Sequence, residues 1–110
     1  MLLRLINESG IKPSLCYKTA NVDRRLFFKI KNEKYYFPQK DTVLAFAVAL
    51  KLNFAEAEKL LKSAGYAFCN NRLTDVIVRY YIEKNIFDIR KINHTLYEYG
   101  QSVLGAKFGI

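Results

Sequence analysis

The feature that most constrains this chain is the segment from Asp41 to Leu52, in which residues 43–50 are all apolar. A helix that is apolar on every side must be surrounded by other elements, which predicts a position at the centre of a bundle. The apolar run is much shorter than the roughly 20 residues that a membrane span requires. With 51% hydrophobic residues among 110, the chain is expected to form one packed, all-α domain without a membrane segment.

Helical spacing flanks this central segment on both sides. The other predicted helices cover residues 1–9, 13–20, 23–31, 53–64, 73–84 and 88–99. Their boundary signals are Gly10 as a stop, Pro13 in a first turn, Asn21 in a left-handed turn, Asp23 as an N-cap and Asn53 with Glu56 as a capping box. We expect a five-helix bundle in 1–67 and a helical extension in 68–110, packed as one unit. Val103, Leu104 and Phe108 are expected to fold back on it.

Positive charge is concentrated in residues 12–40. This range holds eight Lys and Arg against Asp23 and Glu33, a balance of 8 − 2 = +6, whereas the whole chain carries 18 − 10 = +8. A basic cluster of this kind is typical of proteins that bind polyanions. Duplex DNA is therefore the expected partner.

The predicted helix from Asp23 to Lys31 separates its cations from its apolar residues. At 100° per residue, Val22, Leu26, Phe27 and Ile30 fall on one side, which should face the core. The opposite side carries Arg24, Arg25, Phe28 and Lys31, with Lys29 at its margin. A cationic outer face with one aromatic residue suits a helix that reads a DNA groove.

A β-hairpin is an alternative for this region. Leu26, Phe28 and Ile30 alternate with period two, as do Tyr35 and Phe37, on either side of Asn32-Glu33. An isolated hairpin is marginally stable in water, which favours the helix.

The order of these elements resembles the lambda-repressor-like helix-turn-helix domain of the Cro/C1 or XRE type. The resemblance covers residues 2–65 and rests on Ile11, the Asn21-Val22 turn, the segment 23–27, Ile30, and the later blocks 38–52 and 53–57. In that family the second helix of the motif lies in the major groove. The resemblance implies that Arg24, Arg25, Phe28 and Lys29 read bases, and that Lys18, Lys31 and Lys34 contact phosphates.

Three residues depart from the family pattern. The family usually has a small residue where Tyr17 stands, so Tyr17 is expected to hold the two helices apart or to turn outward. Pro13 replaces a frequent Gln that helps to anchor DNA. Phe28 replaces a small polar residue, and it would suit a thymine methyl group or a protein surface equally well.

A second hypothesis is a protein-protein interaction or oligomerisation adaptor, similar in use to death-fold modules. The chain also looks similar to helical modules attached to bacterial effector proteins, which implies that it is a fragment of a larger protein. Its partner would be a second copy or an acidic protein, bound through a charged and aromatic surface. The candidate residues for that surface are Tyr17, Tyr35, Tyr36, Tyr80 and Tyr97.

Residue types with catalytic or metal-binding spacing are not apparent in the sequence. Cys16 and Cys69 form no CxxC pair, and His94 is the single histidine. Both cysteines are expected in the core, as in proteins of a reducing compartment. We therefore expect a cytoplasmic protein that is not an enzyme and that uses no cofactor, metal or small-molecule substrate.

Overall fold

The helices predicted from the sequence are present in a computed structural model of the chain, which describes residues 1–105. Within this range the chain forms seven α-helices and no strand. They are α1 (Leu2–Ser9), α2 (Pro13–Thr19), α3 (Arg24–Asn32), α4 (Lys40–Ala49), α5 (Phe54–Ser63), α6 (Leu73–Glu83) and α7 (Ile89–Glu98). The all-α prediction is confirmed, and the hairpin alternative is wrong because residues 24–32 are helical.

Helix α4 occupies the centre of the structure. Every residue from Thr42 to Ala49 is buried, and the helix packs against α2, α5 and α7. The aromatic ring of Phe46 is fully enclosed and lies beside that of Phe27 from α3. The prediction that the helix apolar on every side lies at the centre of the bundle is confirmed. None of the helices within residues 1–105 is long and apolar enough to cross a lipid bilayer.

The helix boundaries follow from local chemistry. The Asn53 side chain accepts a hydrogen bond from the Glu56 backbone N–H, and the Glu56 carboxylate accepts one from the Asn53 N–H, which completes the predicted capping box. Asn21 adopts the predicted left-handed conformation, with φ of 61°. Gly10 does the same after α1, with φ of 75°. These ends confirm predictions that depend only on neighbouring residues.

A buried ionic cluster joins the first five helices to the last two. Asp75 on α6 is only 1% exposed, and its carboxylate accepts hydrogen bonds from Lys40 Nζ, Arg72 Nη1 and the Cys69 backbone N–H. Arg72 also donates from Nη2 to Asp41 at 2.7 Å. The pKa of Arg72 is raised, mainly by its hydrogen bond to Asp41. Burial lowers this pKa, and the hydrogen bond to Asp75 raises it further. Asp75 therefore links α6 to the start of α4.

The segment that follows α7 folds back towards α2. Leu104 is completely buried, and its backbone N–H donates to Asn93 Oδ1 at 2.7 Å. Its carbonyl accepts from Asn93 Nδ2 and from Asn21 Nδ2 in the α2–α3 turn. Packing of Leu104 was predicted correctly, but Val103 is exposed because its neighbour takes the buried position. The prediction for Phe108 falls outside the described residues.

The two cysteines have different environments. Cys16 on α2 is buried, and burial raises the pKa of its thiol to about 11. Cys69 is exposed, so the prediction that both cysteines lie in the core is wrong for Cys69. It lies in the loop between α5 and α6, where its backbone N–H binds Asp75 while its Sγ lies 3.7 Å from Lys40 Nζ. The position of Cys69 is fixed by the hydrogen bond from its backbone N–H and not by burial of its side chain.

Candidate nucleic-acid interface

The candidate site begins at the short turn between α2 and α3. Backbone N–H groups of Asn21 and Val22 donate to the carbonyls of Lys18 and Tyr17, at 3.0 and 2.8 Å, which closes the end of α2. Asp23 then caps α3 by accepting the Arg25 backbone N–H at 2.7 Å. The turn is thus fixed at both ends by hydrogen bonds, and it sets where the first residues of α3 emerge.

Tyr17 contributes to packing between α2 and α3. It is 8% exposed, and its ring stacks on Phe27 with centroids 5.0 Å apart and planes 29° apart. The expectation that Tyr17 turns outward is therefore wrong. Tyr17 is also too buried to belong to the predicted interaction surface. An aromatic pair of this kind contributes dispersion and burial that outward rotation would lose.

The outer face of α3 presents the predicted cations. Arg24, Arg25 and Lys31 are exposed, Lys29 is half-buried, and Phe28 is 39% exposed. Arg24, Arg25, Phe28 and Lys29 line one open depression of about 880 Å³. The outer face of α3 that was predicted from the 100° spacing therefore agrees with the exposure of these side chains in the structure.

The two arginines at the start of α3 are not neutralised locally. Neither forms a salt bridge with another residue of the range 1–105. The Arg24 guanidinium lies 5.2 Å from the centroid of Phe28, an arrangement that holds the cation against an exposed ring. Asp23 Oδ1 accepts a backbone N–H, but its negative charge and that of Glu33 also line the depression. Neither carboxylate forms a salt bridge with the two arginines, so both guanidinium groups of the first turn are available to a ligand.

The linker between α3 and α4 adds two cation-aromatic pairs. Lys29 Nζ lies 4.9 Å from the centroid of Tyr36, and Lys34 Nζ lies 5.7 Å from that of Tyr35. Tyr35 is exposed, whereas Tyr36 is half-buried. Burial, followed by the influence of Tyr66 and Glu33, raises the pKa of the Tyr36 hydroxyl. These pairs extend the basic and aromatic character beyond the end of α3.

The other predicted site residues lie outside the depression on α3. Lys18 on α2 is exposed, and it lines a groove against α7 together with Tyr97. Tyr80 lies on α6 and lines a different cavity, beside Arg79 and Glu83. The structure therefore brings together the four residues expected to read bases, and separates them from the aromatic residues of α6 and α7.

One of the eight cations in residues 12–40 is bound within the protein and is not available to a ligand. Lys40 belongs to the cluster of eight, but its ammonium group is bound to the buried Asp75 carboxylate. The acidic partner lies 35 residues away, so no local pattern indicates the pairing. The nearest sequence signal is that Asp75 lies three residues after Arg72, in the first turn of α6. Lys40 is consequently a structural residue.

The described part of the chain contains no group of three or more His, Cys, Asp or Glu residues placed to hold a metal ion. Comparisons of the chain with models of protein families, with curated proteins and with solved structures give no significant match in any of the three.

Proposed function

We propose that this protein is a non-enzymatic DNA-binding regulator whose helix α3 enters the major groove of duplex DNA. In this proposal the first five helices form a lambda-repressor-like helix-turn-helix unit, with α2 and α3 as the motif. The observation that carries it is the pair Arg24 and Arg25, exposed and without a salt bridge in the range 1–105, at the start of a capped helix beside Phe28.

In this proposal some of the residues contact bases and the others contact phosphates. Arg24 and Arg25 suit bidentate hydrogen bonds to guanine, and Phe28 suits a thymine methyl group. Lys18, Lys31 and Lys34 are exposed and are assigned to phosphates. Phosphate neutralisation would supply most of the affinity and make it strongly dependent on salt.

The proposal is tested by fluorescence anisotropy with a random-sequence duplex at low and near-physiological salt. Roughly three to five neutralised phosphates would give a slope of about −2.7 to −4.5 for log affinity against log salt concentration, since each contributes roughly −0.9. We expect affinity to fall by orders of magnitude across this range. Absence of binding at low salt would overturn the proposal.

A second candidate function is that of a protein-interaction adaptor. One observation favours it: Leu73, Val76 and Tyr80 form an exposed stripe along α6, at 40%, 44% and 55% exposure. Residues at spacings of three and four share one side of a helix, so these three could bind a partner together. Equilibrium sedimentation tests self-association through this stripe. The apparent mass of the native chain should increase with concentration, and that of the Tyr80→Ser variant should increase less.

A further inference from the structure

A groove runs between the end of α2 and the outward side of α7. Its volume is about 820 Å³, and its lining includes Lys18, Thr19 and Asn21 on one side and Arg90, His94 and Tyr97 on the other. We call it the α2–α7 groove. Nothing in the linear sequence places α7 beside α2, because the two helices are separated by about 70 residues.

The exposed side chains of this groove combine cations with an aromatic ring. Lys18 and Arg90 are exposed, and neither forms a salt bridge with a described residue. Tyr97 is 76% exposed, so both its ring and its hydroxyl are accessible. His94 Nε2 lies 3.3 Å from Glu98 Oε1 on the same helix. Two ammonium or guanidinium groups beside a tyrosine suit a sugar-phosphate chain.

One carboxylate in the groove acts against an anionic ligand. Asp88 Oδ1 accepts the backbone N–H groups of Arg90 and Lys91, at 3.0 and 3.3 Å, and thereby caps α7. Its Oδ1 is engaged by the helix end, but the negative charge remains in the groove. The charge of Asp88 can therefore be removed as a test without removing the cap.

The groove continues the proposed DNA surface. Lys18 lies in α2, Asn21 lies in the α2–α3 turn, and the depression on α3 begins at Asp23 on the other side of that turn. Leu104 is hydrogen-bonded to both Asn21 and Asn93, so the turn and α7 are held in one fixed arrangement. Lys18 lines the groove and is also assigned to a phosphate in the proposed DNA surface, so the two surfaces share this residue.

We propose that the α2–α7 groove binds the sugar-phosphate backbone of the same duplex, next to the segment that α3 contacts. This inference rests on the proposed DNA-binding function and deepens it, because it assigns Arg90 and Tyr97 of the C-terminal extension to the interface. Lys18 and Arg90 bind phosphates, and Tyr97 packs on the sugar. The extension thereby lengthens the footprint beyond the first five helices.

The first test compares two neighbouring cations on α7. Arg90 lines the groove, whereas Lys91 is exposed but does not line it. Arg90→Gln and Lys91→Gln remove the same charge from adjacent positions. Loss of one phosphate contact should reduce the salt slope by about one for Arg90→Gln and lower the affinity about five- to tenfold near physiological salt, with a clearly smaller effect for Lys91→Gln.

The second test uses a gain of affinity, which loss of folding cannot imitate. Asp88→Asn removes the negative charge and retains a residue that caps helices well. We expect tighter duplex binding, by about two- to fivefold at low salt, since the carboxylate repels a nearby phosphate and this repulsion is weakest where salt screens it. Glu58→Gln, at an exposed position on α5, changes the net charge equally and should have a clearly smaller effect.

The outcomes separate this inference from the function on which it rests. Equal effects of Arg90→Gln and Lys91→Gln, or of Asp88→Asn and Glu58→Gln, would overturn the groove assignment. Salt-dependent binding that is lost when Arg24 and Arg25 are replaced would still support the function of α3. Absence of duplex binding by the native chain at low salt would overturn both.

Discussion

Replacing Arg24 and Arg25 together by alanine is expected to weaken binding to a duplex selected for high affinity by about 30-fold to 10⁴-fold. Each base-reading arginine contributes roughly 1–3 kcal/mol, and about 1.4 kcal/mol corresponds to a factor of ten in affinity. Both side chains are exposed, and neither forms a salt bridge within residues 1–105. Their loss should therefore remove ligand contacts with little effect on the free energy of unfolding, which thermal denaturation would verify.

The matched control removes the same charge from another helix. Lys59 and Lys62 are exposed on α5, and their double alanine variant also lowers the net charge by two. A general electrostatic attraction would weaken by a similar factor in both double variants. The proposed contact through α3 requires a much larger loss for Arg24 and Arg25, and equal losses in the anisotropy titration would contradict it.

Replacing Asp75 by alanine is expected to lower the free energy of unfolding by about 3–5 kcal/mol. Removal of one partner from a buried ion pair leaves the other charge desolvated and unpaired, which costs far more than an exposed pair is worth. Arg72 would keep Asp41 as a partner. In this protein Lys40 would lose its carboxylate, and the Cys69 backbone N–H would lose its acceptor. Urea denaturation followed by circular dichroism measures the change.

An exposed ion pair on the same helix provides the control for Asp75. Glu83 lies 3.3 Å from Arg79 on α6, and the Glu83 side chain is 51% exposed while that of Arg79 is 39% exposed. Its replacement by alanine should change the free energy of unfolding by less than about 1 kcal/mol. If the Asp75 and Glu83 variants were equally stable, the ionic cluster would not hold α6 to the start of α4 as we describe.

Local features of the fold could be predicted from the sequence because the interacting residues are close together. The capping box at Asn53 and Glu56 spans three residues, and the left-handed conformation of Asn21 depends on the turn itself. The central position of α4 followed from its own composition. The outward position of Arg24 and Phe28 likewise followed from helical periodicity within α3.

Features that depend on distant residues could not be predicted in this way. The inward position of Tyr17 requires Phe27 on the next helix, and the engagement of Lys40 requires Asp75 from α6. The groove that contains Arg90 forms because α7 packs on α4 and α6 and the Leu104 carbonyl joins α7 to the α2–α3 turn. Such pairings leave no periodic pattern in the chain, since each depends on how the helices pack.

The central claim is that duplex DNA lies on the surface formed by α2, the turn and α3. Amide chemical-shift mapping of the ¹⁵N-labelled chain, titrated with a short duplex at low salt, tests this claim most directly. We predict that the largest changes fall at residues 18–34, with further changes around Arg90 and Tyr97. Changes confined to the exposed stripe of α6, or no changes at all, would contradict a DNA surface on α3.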